Sequence, residues 1–175
     1  MTPTTRSRPH ERIPVRSQRR TRERPMLTGD GRFLMQLRLR HLLEVEIPDA
    51  RTGLGSEPAE PGRVSRLERL CVEAIWLQRL LERAGTLPRP TGDVVELGSY
   101  VRIRMVDGEG TWVRPVPAVE AMLDDDRVSA TSPLGSALLG ARPGEEVVVH
   151  GPAGPWRCEV LEIAPSDPDA FVPAG

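Results

Sequence analysis

Apolar residues recur at helical spacing in the first half of this chain and at alternate positions in the second. Between Phe33 and Leu43, Met35, Leu39, Leu42 and Leu43 share one helix face, and Phe33 and Leu37 widen it. Thr28 or Asp30 is placed to cap the start. Ile47-Pro48 is expected to end the helix, because a residue before proline avoids the helical region. Residues 48–62, PDARTGLGSEPAEPG, hold three Gly and three Pro and read as a turn. A second helix over 63–84 carries Val64, Leu67, Cys71, Ala74, Leu77, Leu81 and Ala84 at steps of three and four, the spacing of a coiled-coil seam. Gly85, Pro88 and Pro90 stop it. Two helices joined by a short turn pack antiparallel.

Residues 86–93 form a linker rich in Pro and Gly, and beyond it the period shortens toward two. Val94 to Val106 reads as a strand region, Asp107-Gly108-Glu109-Gly110 as a hairpin turn and Thr111–Val116 as the returning strand. Residues 117–126, ending in three Asp, read as an acidic loop. A short strand over Arg127–Ala130 follows. Ser132 with Pro133 opens a short helix, since Ser caps well and Pro fits the first helical position. Two further strands, Glu145–His150 and Trp156–Ile163, turn on Gly151–Gly154. The predicted class is α+β: a helical hairpin over 26–85, then a small β-rich domain with one short helix over 94–163. A disordered arm over 1–25 and a flexible tail over 164–175 complete the expected organisation.

Charge sharpens this division. All basic residues are Arg, and eight fall within residues 1–25 against Glu11 and Glu23. The remainder carries 16 Arg against 23 acids. Such an arm either holds nucleic-acid phosphates through counterion release or is an over-long start, because Met26 opens a segment that reads as a natural N-terminus. Cys71 and Cys158 have no His or Cys partner at metal-ligand spacing and read as reduced thiols. The chain lacks a secretory apolar run and any stretch of about 18 apolar residues, so it is expected to be cytoplasmic and away from membranes. His41 and His150 are isolated, and Gly108-Glu109-Gly110 is a turn rather than a phosphate loop.

The stretch VSATSPLGSALLGARPGEEVVVHGPAGPWRCEVLEI, residues 128–163, resembles the C-terminal domain of the GreA/GreB transcript-cleavage factors. Ser132, Pro133, Leu134, Gly135, Ala137, Leu138, Leu139, Gly140, Gly144, Pro152, Gly154, Val160, Leu161, Glu162 and Ile163 carry the likeness. MLTGDGRFLMQL and the tip GLGSEPAE (53–60) are similar to the family's first-helix entry and hairpin tip, through Gly53, Ser56, Glu57, Ala59 and Glu60. The resemblance implies an N-terminal antiparallel coiled-coil αα-hairpin and an FKBP-like domain. It also implies a monomer that binds RNA polymerase through the secondary channel, touching nascent RNA or DNA only indirectly.

The family's tip carboxylates help polymerase hold a second Mg²⁺ for RNA cleavage, so this chain needs no cofactor of its own beyond a shared Mg²⁺. Glu57 is the metal-binding candidate and Glu60 its possible companion. Leu54 stands where the family has its first tip acid, and Pro58 where it has Asn. A lone carboxylate is a poorer ligand set for a hard cation, so weak or no cleavage stimulation is expected. An active factor using Glu57 and Glu60 is the alternative. Thr131, Ser132, Pro133 and Leu134 match the polymerase-gripping loop, with a plain helix cap as the other reading. Arg51, Arg63, Arg66 and Arg69 are candidates for RNA contact or a solvated face. The protein itself is not expected to be an enzyme. Prolyl isomerisation, a distant alternative, would need an aromatic pocket from Tyr100, Trp112 and Trp156.

Overall fold

The computed structural model describes residues 24–52, 61–105 and 108–167. Strand β1 (Met26–Leu27) leads into helix α1 (Gly29–His41), which runs through a π-helical turn, Leu42–Glu46, into α2 (Ile47–Thr52). Helix α3 (Pro61–Arg83) follows, and β2 (Gly85–Thr86) pairs in parallel with β1. Next come β3 (Tyr100–Met105), β4 (Gly110–Val116), a single 3-10 turn at Ala118–Glu120 and β5 (Arg127–Ser129). Helix α4 (Pro133–Leu138), β6 (Glu146–Gly151) and β7 (Gly154–Ala164) complete it. The class is α+β, with a five-stranded curled sheet in the order β5-β4-β3-β7-β6.

Thr28 caps α1, its hydroxyl accepting from the Gly31 N–H at 3.0 Å. The helix does not end at Pro48, contrary to the sequence expectation: Ile47 is helical (φ −70°, ψ −45°) and α2 continues to Thr52. Proline lacks a donor, and its ring meets the carbonyl four residues back. The π turn takes up this misfit, with the Ile47 N–H reaching Leu42 O, five residues behind. The buried face also differs from the predicted one. Met35, Leu42 and Ile47 are buried with Leu39 beside them, whereas Leu43, Phe33 and Leu37 are exposed.

On α3 the buried seam is Leu70, Ala74 and Leu77, then Ala84, flanked by Leu67, Cys71, Leu80 and Leu81. Val64, predicted to lie in it, is exposed. The helices run antiparallel. Arg32 near the start of α1 donates to Leu81 O (3.1 Å) and Ala84 O (2.6 Å), while Arg38, two turns on, donates to Glu73 Oε1 (2.8 Å) and to Glu46. Full burial of side chains such as Met35, Leu42 and Leu77 contributes about 1.5–3 kcal/mol each. Arg24 also donates to Arg83 O (3.0 Å) and Ala84 O (3.3 Å), so contacts begin inside the stretch assigned to the arm. Two guanidinium groups thus satisfy carbonyls that every helix C-terminus leaves open.

In the sheet, β3 is shorter than the predicted strand. Val94–Leu97 is a loop whose Val95 plugs the core and exchanges backbone bonds with Ala141 and Gly140. Alternation holds in β3, β6 and β7, whereas the end of β4, Val113–Val116, is buried on both faces. Val101, Ile103, Val113, Val147, Val149, Cys158 and Val160 face inward, where Leu138 and Ala141 cover them. Burial raises the Cys158 thiol pKa. The opposite face carries Arg102, Arg104, Trp112, Arg157 and Glu159, laced by Arg104–Glu159 and Arg157–Glu146 ion pairs, both at 2.6 Å.

Candidate functional site

Two places combine defined geometry with chemistry. The first is the turn ahead of α4. The Ser132 hydroxyl donates to Ser129 O (2.7 Å) and accepts from the Gly135 N–H (3.1 Å), capping the helix as read from the sequence. The Thr131 N–H donates to Ser129 Oγ (3.2 Å). A Cβ at Gly135 would sit 2.1 Å from Ser129 O, so only glycine lets the helix approach the end of β5 this closely. Thr131 and Pro133 stand exposed, Ser132 is half-buried, and Leu134 turns inward against the core.

The second is an ionic junction between α1 and the sheet domain, which the sequence reading missed. Glu120 is fully buried. Its carboxylate accepts from the Thr28 N–H (2.7 Å), the Thr28 hydroxyl (2.5 Å) and Arg127 Nη1 (3.0 Å). Arg127, also buried, donates to Asp30 Oδ2 and Asp124 Oδ2, each at 2.6 Å. Arg114 donates to the other oxygen of Asp30, to Tyr100 OH (2.9 Å) and to Gly98 O (3.3 Å), with its guanidinium carbon 4.5 Å from the Tyr100 ring centre. Gly31 makes room: a Cβ there would lie 2.0 Å from Glu120 Oε2.

Partial burial tends to raise the Asp30 pKa, but the hydrogen bonds and charges of Arg114 and Arg127 outweigh it and hold the carboxyl well below the usual range. For Arg127 burial works against the charge, and Asp124 and Asp30 more than restore it, raising its pKa. Burial raises Tyr100, opposed by Arg114. The available signal was Glu120 itself, a single carboxylate inside the otherwise apolar run Val116–Leu123.

The remaining candidates are scattered. Glu57 and Glu60, with the rest of the tip over 53–60, lie outside the described residues. So does the Arg63 side chain. Arg51 lies in the last turn of α2, and Arg66 and Arg69 lie on α3, all three exposed. Among the described residues no group of three or more His, Cys, Asp or Glu is placed to hold a metal ion, and no helix is long and apolar enough to cross a membrane. Tyr100 and Trp112 line a depression with Arg114, Asp124, Asp126 and Arg127, while Trp156 packs on the opposite side of the sheet. The three aromatic residues are therefore not gathered into one apolar pocket.

Fold and junction together define a two-part α+β protein, a pair of helices locked by buried charge onto a curled sheet. Residues 89–165 match the family model described as Transcription elongation factor, GreA/GreB, C-term. A Transcription elongation factor GreA of Chloroflexus aggregans is 34% identical over 151 residues, covering 78% of this chain and 95% of that protein. The corresponding factor of Roseiflexus is 37% identical over 91 residues, 50% of this chain and 57% of its own length. Among solved structures, GreA factor homolog 1 (Gfh1) of Thermus thermophilus is similar at 26% identity and a TM-score of 0.37, covering 80% of this chain and 98% of that one. The chain belongs to the GreA/GreB family of transcription elongation factors.

Proposed function

We propose that this protein is a cytoplasmic, RNA polymerase-binding elongation regulator that acts through the secondary channel and stimulates transcript cleavage weakly or not at all. In this reading α1, α2 and α3 form a coiled-coil hairpin closed by residues 53–60, and the sheet with α4 is an FKBP-like anchoring domain. Family membership supports the polymerase as partner. The single observation that carries the finer reading is the tip sequence Gly53-Leu54-Gly55-Ser56-Glu57. Leucine has no lone pair to offer a cation, so Glu57 is left as a solitary ligand for the Mg²⁺ shared with the polymerase, with Glu60 displaced beyond Pro58. Catalysis of phosphodiester cleavage between two metal ions requires both to be held. The protein then contributes occupancy of the channel rather than chemistry, and is not an enzyme in its own right.

Thr131 and Pro133, exposed on a turn whose backbone is fixed by Ser129, Ser132 and Gly135, suit the gripping role. The test is transcript cleavage in stalled elongation complexes with polymerase from the same organism. Bound protein with full-length RNA is the expected result. Rapid RNA shortening would establish the active-factor alternative, and failure to bind polymerase would remove the reading altogether.

A further inference from the structure

Helix α3 carries a second seam opposite the one that packs on α1. Ser65, Glu68, Val72, Ile75, Arg79 and Glu82 recur at steps of three and four along its outward side. The centre of this strip is apolar and open: Val72 is 67% exposed, and Ile75 and Trp76 are each 49% exposed. Val72 and Trp76 border two shallow grooves of 540 and 530 Å³. One runs toward Arg79 and Arg83, the other toward Glu68 and Arg69. Glu68 and Arg79 make no ion pair among the described residues. Eleven residues apart on one helix, they are separated by about 16 Å and cannot reach each other.

We infer that this strip is a self-association surface, on which two copies of the chain pack α3 against α3 in antiparallel fashion about a two-fold axis. The charge pattern selects both the occupant and the register. When Val72 of one copy faces Ile75 of the other, Glu68 faces Arg79 at both ends of the apolar centre. A slip of one turn in either direction sets Glu68 against Ile75 or Arg79 against Val72, placing a charge on an apolar side chain. Trp76 then flanks the central layer from each copy. The arrangement is isologous and closes at two copies. A single helix face buries less than the standard interface of about 1,600 Å², so the association is reversible and concentration-dependent. The family resemblance implies a monomer; the exposed second seam is what alters that expectation.

Sedimentation of the full chain across a concentration series tests this. A reversible monomer–dimer equilibrium with a midpoint in the micromolar range, about 1–100 μM, is expected for an interface of this size. Ile75→Arg should weaken it at least tenfold with unchanged helical circular dichroism, since the side chain is exposed. Glu68→Arg alone and Arg79→Glu alone should each weaken it, and the two together should restore it. A mass that stays monomeric throughout the series overturns the inference, as does a double exchange no better than its parts. If the chain dimerises only after residues 1–23 are removed, the strip belongs to that segment and not to a second copy.

Discussion

Arg127 Nη2 lies 2.6 Å from Asp30 Oδ2, joining residues 97 positions apart. The same guanidinium holds Glu120 and Asp124, so one side chain ties α1 to both the 3-10 segment and β5. Helical arm and sheet are therefore coupled through a buried pair, Arg127 and Glu120, with Asp30 and Asp124 at its solvent edge.

Removing Arg127 should be severe. Arg127→Ala leaves Glu120 buried with only Thr28 for support, and breaking a buried pair from one side costs about 3–5 kcal/mol. Urea denaturation would read this as a lowered midpoint. A loss below about 1 kcal/mol would mean that the junction behaves like a surface ion pair. Gly31→Ala should disturb the same place by forcing a methyl group into the Glu120 carboxylate.

Acid should weaken the junction through Asp30. Its folded-state pKa is depressed, so its contribution is complete above the unfolded carboxylate value of about 3.9 and declines as pH falls through and below it. Denaturation midpoints of the native chain should fall as the pH is lowered from about 4 to about 2. The Asp30→Asn variant should show a smaller fall over that window. Equal slopes for the two proteins would show that Asp30 is not the group responsible.

At the α4 turn, structure and docking separate by substitution. Ser132→Ala removes a cap and should lower stability by about 1 kcal/mol. Pro133→Arg leaves the Ser132 cap bonds in place and changes an exposed surface, so thermal melting should hold while polymerase pull-down weakens. Unchanged pull-down would reduce this turn to a helix cap.

At the hairpin tip, Leu54→Asp returns a second carboxylate beside Glu57. Cleavage of backtracked RNA should rise above that of the native chain. No gain, with polymerase binding intact, would place the tip away from the catalytic metals.

For nucleic-acid binding the informative deletion is residues 1–23 rather than 1–25, because Arg24 bonds the C-terminal carbonyls of α3 and Pro25 O accepts from the Gly85 N–H. The truncated chain should bind free nucleic acid less tightly, with a shallower dependence on salt. Identical salt slopes would show that the arm makes no phosphate contact.

Local rules carried much of this fold into the sequence. Thr28 and Ser132 announce their helices because a cap is decided by one hydroxyl and the next few backbone amides. Turn residues at Asp107–Gly110 and Gly151–Gly154 placed β4, β6 and β7 within a residue or two. Pro48 misled because the prohibition on proline applies to a regular α-helix, and a π turn lies outside it. The α1 face was misjudged at Leu43 as well. Glu120 escaped notice because its partners, Thr28 and Arg127, reach it from different segments, and no local pattern records a contact across 92 residues.

Helix α3 extends some 35 Å, from its 23 residues at about 1.5 Å each, and the double arginine clamp of Arg24 and Arg32 grips the end nearest the sheet. These bonds and the Asp30–Arg127 contact gather at one end of the helical arm, so its bearing on the sheet lies there rather than along its length.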